Sequence, residues 1–514
     1  MQLVQGPGWT TSNVNTINGE DHLGIRFVGI NIADTLQSGI TSITPRARYW
    51  AFFAWVLHDF LQNSISEKSL REFKRFLKQQ EWFYILANIG WAVESKTVTS
   101  ALIGSTKGAA AWDSNQSDFN PVQDYVKDSF GGYGTYRNVM KIVGLTREAN
   151  ADKGVQIDRM TPLGKELAEA FEKSIEGTTY YQKYRNSDEP VPRDVLVEYG
   201  SLAGLSSMKI GISKDLPILT NLFLPKEPKS DRGRLRKQSL LYYMNIIQQL
   251  LGERMAFKTW QKTMFDGVYH QKLQVPKELH TVAIGWEIYQ ARQMFTYSLD
   301  SIWSYALDLM SRRIYTTSEL ITHVLDELKA AGYDLNQKVG QLEDFIPLQP
   351  DIRQEYVQKM SSDQKNVDTH VWNPLLVLLD IRHRLQNRSD FNELHSSFLT
   401  LGGRDSISFQ SWDHFVNQYQ DELVKDFVSY ILNYYILDQH QKVALNKIIT
   451  TKNETFHFVE NDGKLYFISD DRPAFNVFRV NQGLTILEDL QLIKGINGTF
   501  SVTPYGQVKL DENS

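Results

Sequence analysis

Cysteine is absent from this 514-residue chain. Without thiols the chain can form neither a disulfide bond nor a thiolate metal site. This composition suits a reducing compartment, so we expect a cytoplasmic location. The N-terminal residues lack the basic region and the apolar core of a signal peptide. Apolar runs stay short of the roughly 18 residues that a membrane-spanning helix needs, and we therefore expect no contact with a membrane.

Common catalytic signatures are missing as well. The 11 histidines are scattered, and the chain contains no HExxH pair, no GxSxG elbow and no acidic pair followed by an ExK-type lysine. Gly104–Gly108 resembles a phosphate-binding loop only in part, because no Lys-Ser/Thr pair follows the second glycine. We expect no metal and no cofactor, and the sequence favours a non-catalytic protein over an enzyme.

Positive charge is not in excess either. The chain has 55 basic and 60 acidic residues, for a net charge of −5. The protein as a whole is therefore not a basic coat for nucleic acid, and any such contact must come from a local patch. By contrast, 42% of the residues are hydrophobic and 12% are aromatic, which is ample for several cores. A chain of this length predicts about two to four domains.

The clearest architectural pattern lies at Ser129–Ile175. A glycine turn at Gly131–Gly134 precedes a short helical run at Tyr136–Val143. A polar excursion and a short apolar return follow. Thr161-Pro162 then predicts the start of a new helix, since threonine caps free N–H groups and proline suits the first helical position. The order helix, hairpin, helix predicts a winged-helix unit.

The C-terminal residues repeat this pattern. Leu492–Lys494 and Phe500–Val502 predict two strands, and Asn497-Gly498 between them is a strong hairpin signal. The Thr-Pro-x-Gly sequence at Thr503 to Gly506 matches that at Thr161 to Gly164. We expect a second winged-helix unit here, although Thr-Pro-x-Gly alone is a common helix-start pattern.

Elsewhere, apolar periodicity predicts helices far more often than strands. Helices are expected beyond Thr44-Pro45, over Leu70–Ile89, over most of residues 239–395 and over Val424–Leu445. Strand signals are confined to a short strand at Ile25–Ile30 and a hairpin at Thr455–Ile468.

These patterns predict a mainly α, multidomain protein with winged-helix units near both ends and a helical middle. We divide the chain into an irregular or extended segment at 1–45, a helical domain containing a winged helix at 46–178, a linker region that is basic near its end at 179–238, a helical domain at 239–400, and a C-terminal helix plus winged-helix unit at 401–514.

Candidate nucleic-acid contacts come from three places: the residues after Thr44-Pro45, the helical run Tyr136–Val143 and the segment Lys226 to Lys237. Arg46 and Arg48 lie where a helix is expected to begin, at which point the helix dipole disfavours cations. They either pair with acidic neighbours or stay solvated, or they hold a phosphate or a partner carboxylate. Lys226 to Lys237 carries six basic residues against two acidic ones and is expected to be an exposed linker that leads into a helix, either solvated or against phosphate groups. The full set of candidates is Arg46, Arg48, Arg137, Lys141, Arg232, Arg234, Arg236 and Lys237.

A loose catalytic candidate is the pair Arg388 and His395. Their spacing fits the Arg-x(4–6)-His pattern of HEPN-type ribonucleases, which are helical. In that chemistry histidine acts as the acid and base, and arginine stabilises the charge that develops on the phosphate. Two residue types at such a spacing recur often by chance.

Two motifs resemble a known group of proteins. One is the Thr-x-Arg-Ala-Arg-Tyr sequence at Thr44–Tyr49, which enters an aromatic helix, and the other is the GGYG…TPLG pattern within Gly131–Glu172. Both are similar to sequences in poorly characterised bacterial proteins from phage-defence gene clusters. The resemblance implies a subunit of a multigene defence complex, and it carries over no catalytic residues.

Three functions remain open on the sequence. The first is a non-catalytic DNA-binding or adaptor subunit, because winged helices both contact DNA and dock proteins. Two terminal units separated by helices resemble the layout of kleisin subunits, which implies an SMC- or ABC-type ATPase partner. The second is a helical HEPN-like nuclease effector. The third is a transcriptional regulator, which needs a compact basic recognition helix, whereas Tyr136–Val143 holds only Arg137 and Lys141.

Overall fold

The structure is a computed structural model that describes residues 15–16, 21–63, 69–114, 116–150, 156–267, 270–400 and 407–513. Helices hold 62% of the residues and strands 7%, which confirms the predicted mainly α class. The α-helices of the described residues are α1 (Arg26–Leu36), α2 (Arg48–Asn63), α3 (Leu70–Ser95), α4 (Ser105–Asp113), α5 (Tyr133–Ile142), α6 (Pro162–Ile175), α7 (Arg193–Ala203), α8 (Leu216–Phe223), α9 (Asp231–Gln249), α10 (Phe257–Asp266), α11 (His280–Arg312), α12 (Thr317–Ala330), α13 (Pro350–Lys359), α14 (Asn373–Asn387), α15 (Ser389–Thr400), α16 (Phe409–Tyr419), α17 (Val424–Tyr430), α18 (Gln439–Thr451), α19 (Val480–Asp489) and α20 (Pro504–Asp511). Short π-helical segments lie at Tyr180–Tyr184, Asp368–Trp372 and Ile431–Asp438.

The strands are short and pair into small sheets. They are β1 (Asn15–Thr16), β2 (Asp118–Phe119), β3 (Thr146–Arg147), β4 (Arg159–Met160), β5 (Val191–Pro192), β6 (Tyr315–Thr316), β7 (Asn453–Glu454), β8 (Phe458–Asn461), β9 (Lys464–Phe467), β10 (Ile493–Ile496) and β11 (Thr499–Val502). The pairs β3–β4, β8–β9 and β10–β11 are antiparallel hairpins, while β9 also pairs with β6.

The chain forms two compact units, and each combines segments that are distant in sequence. Unit 1 consists of the described residues of Met1–Ala33, Phe257–Gln274 and Ala283–Val477. Unit 2 consists of the described residues of Asp34–Ala256, Val275–Val282 and Phe478–Ser514. This division cuts across the five segments drawn from the sequence, because α19 and α20 belong with residues 34–256 and not with the helices that precede them in the chain.

Helix α2 forms the centre of unit 2. Its sequence, RYWAFFAWVLHDFLQN, is apolar on nearly every side, as expected of a buried helix. Tyr49, Trp50 and Phe53 are fully buried. Helices α3 and α6 pack against α2, and α7 packs against α3. A capping box of Ser69 and Glu72 begins α3 at the residue that the sequence predicts.

Helix α11 is the longest helix of the described residues, and most of it lies in unit 1. Its apolar side chains, such as Trp286 and Trp303, are fully buried. Helix α14 packs against α13, α15 and α16 in the same unit. The predicted hairpin at Thr455–Ile468 is confirmed as β8–β9, with positive φ angles of 51° at Asp462 and 68° at Gly463 in its turn.

The predicted strand at Ile25–Ile30 is wrong, and so is the assignment of the whole 1–45 segment as irregular. Residues 26–36 form α1, with Val28, Ile32 and Leu36 buried at helical spacing. The Asp21 carboxylate accepts hydrogen bonds from two N–H groups at the start of this helix, at 2.8 and 3.0 Å. This cap and the buried helical face favour a helix, against the strand preference of the β-branched residues.

The predicted linker at 179–238 is also wrong, because it contains α7, α8 and the first turns of α9. Its prolines mark helix starts: Pro192 immediately precedes α7, and Pro217 lies in the first turn of α8. A smaller difference concerns α2, which begins at Arg48 and leaves Arg46 outside the helix. The sequence Gly402-Gly403-Arg404-Asp405 predicts a loop, but it lies outside the described residues.

Candidate functional site

The predicted order of helix, hairpin and helix is confirmed in both places. We name α5, β3, β4 and α6 the N-module, and α19, β10, β11 and α20 the C-module. In the C-module the hairpin turns at Asn497 and Gly498, whose φ angles are 54° and 81°. A turn with two positive φ angles in succession favours Asn-Gly, because asparagine and glycine adopt this backbone conformation more readily than other residues. Both modules belong to unit 2.

Thr161 closes the N-module. Its hydroxyl accepts a hydrogen bond from the Gly164 N–H at 3.1 Å, and its own N–H donates to the Leu145 carbonyl at 3.1 Å. The backbone approaches so closely here that a Cβ atom on Gly164 would lie 2.0 Å from the Leu145 oxygen. The glycine of the Thr-Pro-x-Gly sequence is therefore required by the contact between α6 and the residue that begins the hairpin.

The C-module repeats this geometry. The Thr503 hydroxyl accepts from the Gly506 N–H at 3.0 Å, and the Thr503 N–H donates to the Leu492 carbonyl at 3.0 Å. A Cβ atom on Gly506 would again lie 2.0 Å from a carbonyl oxygen, that of Leu492. The two modules are thus matched in hydrogen bonds and backbone contacts as well as in sequence.

The glycine turn of the N-module encloses a buried carboxylate, Glu81. The Gly132 N–H donates to it at 2.8 Å, and the Tyr125 hydroxyl donates at 2.5 Å. Cβ atoms on Gly131 and Gly132 would lie 2.3 and 2.2 Å from its oxygens. Burial raises the pKa of Glu81 to about 7, against the effect of these hydrogen bonds. Glu81 anchors the start of α5, and the glycines make room for it.

Arg46 joins the two modules. Its guanidinium donates to Asp489 of the C-module at 2.9 and 3.0 Å, and the Ala47 N–H donates to the same carboxylate at 2.9 Å. Its backbone N–H donates at 3.4 Å to the hydroxyl of Tyr136, which belongs to α5 of the N-module. Arg46 is 3% exposed. We name Arg46, Asp489 and Tyr136 the Arg46 clamp.

Arg48 is also committed to a buried carboxylate. It donates to Asp215 at 3.0 and 3.2 Å and to the Gly204 carbonyl at 3.0 Å, and its side chain is 0% exposed. Arg46 and Arg48 therefore correspond to the first interpretation of the sequence, pairing with acidic neighbours. Their guanidinium groups are not presented at the surface, where phosphate groups would meet them.

The two cations of α5 face the wing of their own module. Arg137 donates to Asp158 at 2.6 and 2.9 Å, and Lys141 lies 3.1 Å from the Glu148 carboxylate. Burial opposes the ionisation of Asp158, but hydrogen bonds from Arg137 and Tyr133 lower its pKa overall. Arg137 keeps 27% of its side chain exposed and Lys141 keeps 19%. These charges mainly hold the wing against α5.

The remaining candidates lie at the start of α9. Lys226, Lys229, Arg232 and Arg234 are exposed and Lys237 is half-buried, and we name these five residues the basic rim. Their acidic neighbours in the chain are Glu227 and Asp231, of which Asp231 pairs with Arg234 at 3.2 Å. Arg232 also interacts electrostatically with Asp34, and Lys226 with Glu512. Arg236 is set apart: it is buried and donates to the carbonyls of Ser38 and Leu222 at 3.0 and 2.9 Å.

A groove of about 440 Å³ adjoins the basic rim in unit 2. Its walls come from α8, the segment that follows α8, and α20 of the C-module. Lys226 and Lys509 line it, together with Tyr505 and Glu512. Lys509 pairs with Glu512 at 2.7 Å, while the Lys237 ammonium donates to the Lys226 carbonyl at 3.4 Å. The basic rim and the C-module therefore border one continuous surface.

Arg388 and His395, in unit 1, do not form an open acid–base pair. His395 is 0% exposed and stacks on Phe409 at 4.4 Å. Burial, with a smaller effect of the Arg292 charge, lowers the pKa of His395 to about 3. Arg388 is held by Asp390 at 2.8 Å and by Glu287 at 3.3 Å. A general acid or base must reach the reacting group, so this geometry does not favour catalysis.

Three histidines of unit 1 form a buried network. The His457 N–H donates to His440 Nε2 at 3.1 Å, which leaves His440 Nδ1 to donate to the His22 carbonyl at 3.3 Å. His457 Nδ1 faces the Ser469 carbonyl at 3.0 Å, so that its Nε2 accepts from His22 Nε2 at 3.1 Å. One set of neutral tautomers satisfies all four contacts. Among the described residues, no group of three or more histidine and acidic side chains could hold a metal ion.

This network predicts a specific dependence of stability on pH. Burial lowers the pKa of His440 to about 3 from its ordinary 6.5, so its stabilising contribution is complete above about pH 6.5 and is lost as the pH falls. The loss per histidine is about 1.4 kcal/mol for each pH unit below about 6.5. Urea unfolding at pH 7.5, 6.5 and 5.5 should therefore show a smaller pH slope in His440→Gln than in the wild type.

His414 supplies the control for that experiment, because it is an exposed histidine of the same unit. His414→Gln should leave the pH slope of the wild type unchanged. Equal slopes in the wild type and His440→Gln would contradict a neutral, buried His440.

No family model, curated protein or solved structure matches the chain. The motif resemblance at Thr44–Tyr49 therefore stays a prediction. Within the described part of the chain, no helix combines the length and apolar character needed to cross a membrane.

Sequence reasoning missed the acidic partners of the candidate arginines. Asp489, Asp215 and Asp158 are each buried, and each accepts hydrogen bonds from a candidate arginine. Asp489 and Asp215 lie far along the chain from Arg46 and Arg48, so no local spacing indicates these pairs. The available signal was indirect: an arginine next to an entirely apolar helix needs a partner, because an unpaired buried charge is costly.

Proposed function

We propose that the chain is a non-catalytic adaptor subunit of a multi-subunit complex, with the N-module and the C-module as one docking platform. The Arg46 clamp is the observation that carries this proposal, because one buried residue contacts both matched modules: its guanidinium pairs with Asp489 of the C-module, and its backbone N–H donates to Tyr136 of the N-module. Helix–hairpin–helix modules of the winged-helix type dock both proteins and DNA. A fixed pair of them offers a partner two related surfaces at a constant spacing.

The motifs at Thr44–Tyr49 and Gly131–Glu172 support placing this adaptor in a bacterial anti-phage defence complex in the cytoplasm. An SMC- or ABC-type ATPase is the partner that the resemblance to kleisin subunits implies. A kleisin-like bridge, whose terminal units reach separate partners, is the less favoured layout. Both modules lie within unit 2 and share the Arg46 clamp. Moving the C-module away would break a buried ion pair, and moving the N-module away would break the hydrogen bond from the Arg46 N–H to Tyr136. A rigid platform for one ATPase is the form of adaptor that we propose.

DNA contact belongs to this proposal through the basic rim. Cations in the first turns of a helix oppose the helix dipole, so the dipole of α9 disfavours Arg232 and Arg234 at these positions. An anion at the same end of the helix is favoured by the dipole and by both side chains. With a net charge of −5 the chain should bind duplex DNA weakly and without sequence preference.

The double variant Arg232→Gln/Arg234→Gln tests this contact. We expect duplex DNA to bind more weakly, and the slope of log K against log salt to fall by about 2, because each lost phosphate contact removes about 0.9 from it. Fluorescence anisotropy with a labelled duplex over a salt series measures both quantities. The matched control is Arg71→Gln/Arg75→Gln, which removes two exposed arginines from α3 and should keep the wild-type slope. Equal slopes in all three proteins would contradict the contact.

A further inference from the structure

Unit 1 carries a row of three tyrosines at its surface. Tyr419 ends α16, Tyr430 ends α17 and Tyr434 lies in the π-helical segment that follows. The ring centres of Tyr419 and Tyr430 are 5.3 Å apart, and those of Tyr430 and Tyr434 are 4.3 Å apart. We name these residues the tyrosine ledge. Tyr434 is 47% exposed and the other two are half-buried, so all three present part of a ring to solvent.

Buried aromatic rings hold the ledge in place from below. Phe415 lies 4.7 Å from Tyr430 and 4.9 Å from Tyr419, and Phe427 stacks on Phe415 at 5.1 Å. Phe415 and Phe427 are buried. The wider turn of the π-helical segment puts Tyr434 over Tyr430, and π-helical turns are frequent at functional sites. The ledge is therefore a rigid aromatic surface whose side chains lose little freedom when a ligand binds.

The hydroxyl groups of the ledge are available to a ligand. Within the described part of the chain, no hydrogen bond involves the hydroxyl of Tyr419, Tyr430 or Tyr434. A tyrosine that presents both a ring face and an unused hydroxyl suits a ligand with apolar rings and backbone carbonyls. The tyrosines of the ledge differ in this respect from buried tyrosines of unit 2 such as Tyr125, whose hydroxyl donates a hydrogen bond to Glu81.

The charge beside the ledge is negative. Glu422 and Asp426 are exposed in the connection to α17 and in its first turn. Burial raises the pKa of Tyr419, and the nearby tyrosines and these two carboxylates raise it further. Asp421 is paired with Lys338 at 3.1 Å, and Lys425 is half-buried. A ligand that approaches Tyr419 therefore meets two carboxylates that form no ion pair among the described residues.

We propose that the tyrosine ledge binds a proline-rich, basic segment of a partner protein in the polyproline II conformation. Proline rings pack on aromatic faces, and a polyproline II turn of three residues advances about 9.3 Å. The ledge offers three neighbouring rings, with centres 5.3 and 4.3 Å apart, to the proline rings of such a segment. Arginines one turn apart would reach Glu422 and Asp426, and the tyrosine hydroxyls would donate to ligand carbonyls. This site is independent of the docking platform in unit 2.

The same charges argue against a nucleic-acid ligand. Single-stranded nucleic acid also stacks on aromatic side chains, but its binding sites combine them with a positive groove. Here two exposed carboxylates, Glu422 and Asp426, act on Tyr419, and carboxylates repel phosphate groups. Charge complementarity therefore selects a basic peptide over an oligonucleotide.

A set of three synthetic peptides tests the proposal on the full chain. The first has four Pro-Pro-Arg repeats, the second has four Pro-Pro-Glu repeats, and the third has four Gly-Ser-Arg repeats, which keep the charge but not the conformation. Isothermal titration calorimetry at low salt should detect binding of the first alone. Tyr434→Ala should weaken it about tenfold, which corresponds to about 1.4 kcal/mol. Tyr434→Phe should stay within about threefold of the wild type, since the ring face supplies most of the contact.

Two further variants separate the ledge from general effects. Glu422→Gln/Asp426→Asn should weaken the Pro-Pro-Arg peptide several-fold and reduce the salt dependence of its binding. Ile449→Ala removes a 77% exposed apolar side chain from α18 and should change nothing. The proposal is overturned if the Pro-Pro-Arg peptide does not bind, or if it binds Tyr434→Ala as tightly as the wild type. It is also overturned if the Gly-Ser-Arg peptide or single-stranded oligothymidine binds to the same tyrosines with the affinity of the Pro-Pro-Arg peptide.

Discussion

Asp489→Ala is expected to destabilise unit 2 by about 3–5 kcal/mol, because it leaves the buried Arg46 guanidinium without its carboxylate. Arg46 keeps only the Ser100 carbonyl and the Ser206 hydroxyl, at 2.6 and 3.0 Å, as guanidinium partners. The Ala47 N–H loses its acceptor at the same time. Urea unfolding followed by tryptophan fluorescence measures the change, since Trp50 in α2 is fully buried.

The matched control for this variant is Asp188→Ala. Asp188 accepts from Arg75 at 2.6 Å, but both side chains are about two-thirds exposed, at 67% and 65%. An exposed ion pair of this kind contributes at most about 1 kcal/mol. The double variant Arg46→Met/Asp489→Leu should recover most of the lost stability, because it removes both buried charges together. Equal effects of Asp489→Ala and Asp188→Ala would contradict the clamp.

Gly164→Ala and Gly506→Ala are expected to destabilise the protein by about 3 kcal/mol each. In most helices this change is favourable, since alanine is the better helix former by about 1 kcal/mol. Here the added Cβ atom would lie 2.0 Å from a backbone carbonyl oxygen in each module. No rotamer relieves such a clash, so the helix must move away from the hairpin, and the threonine cap of the helix is lost with it.

Gly177→Ala provides the control for both glycine variants. A Cβ atom at Gly177 meets no other atom within 4 Å, and this residue also lies in unit 2. Its replacement should leave stability unchanged or raise it by a few tenths of a kcal/mol through the unfolded state. Thermal unfolding of the three variants under one set of conditions makes the comparison. A small effect at Gly164 together with a large one at Gly506 would show that the modules are not matched.

The modules themselves are the part of the fold that the sequence predicts best. Thr-Pro-x-Gly, the Asn-Gly turn and the apolar strands are local signals, and each specifies its own backbone geometry over a few residues. The hairpin at Phe458–Phe467 is predicted for the same reason. The segments that fail depend on contacts formed in the folded chain. At Arg26–Leu36, for example, Val28, Ile32 and Leu36 are buried at helical spacing, and Asp21 caps the start of the helix.

The candidate site is predicted less well, because exposure is a property of the folded chain. Eight cations look equivalent in the sequence, yet Arg46 and Arg48 are buried beside Asp489 and Asp215 while Arg232 and Arg234 are exposed. The partners lie far away along the chain in the first two cases, at separations of 443 and 167 residues. Charge patterns along the chain carry no information about such pairs.

The tyrosine ledge illustrates the same limit. Tyr419 and Tyr434 belong to different helical segments, and the surrounding sequence is rich in aromatic residues and predicts ordinary core helices. Periodicity places them on apolar faces, but it does not indicate that part of each ring stays at the surface. Only the folded arrangement shows that three rings and two carboxylates occur together.

Affinity purification of the tagged full chain from its native cells, followed by ATPase and duplex-DNA binding assays, tests the adaptor proposal most directly. The account predicts that an ATPase co-purifies, that Asp489→Ala loses it while Asp188→Ala retains it, and that the complex binds DNA more tightly than the lone chain. A chain that purifies alone and cleaves nucleic acid would contradict the account and return attention to Arg388 and His395.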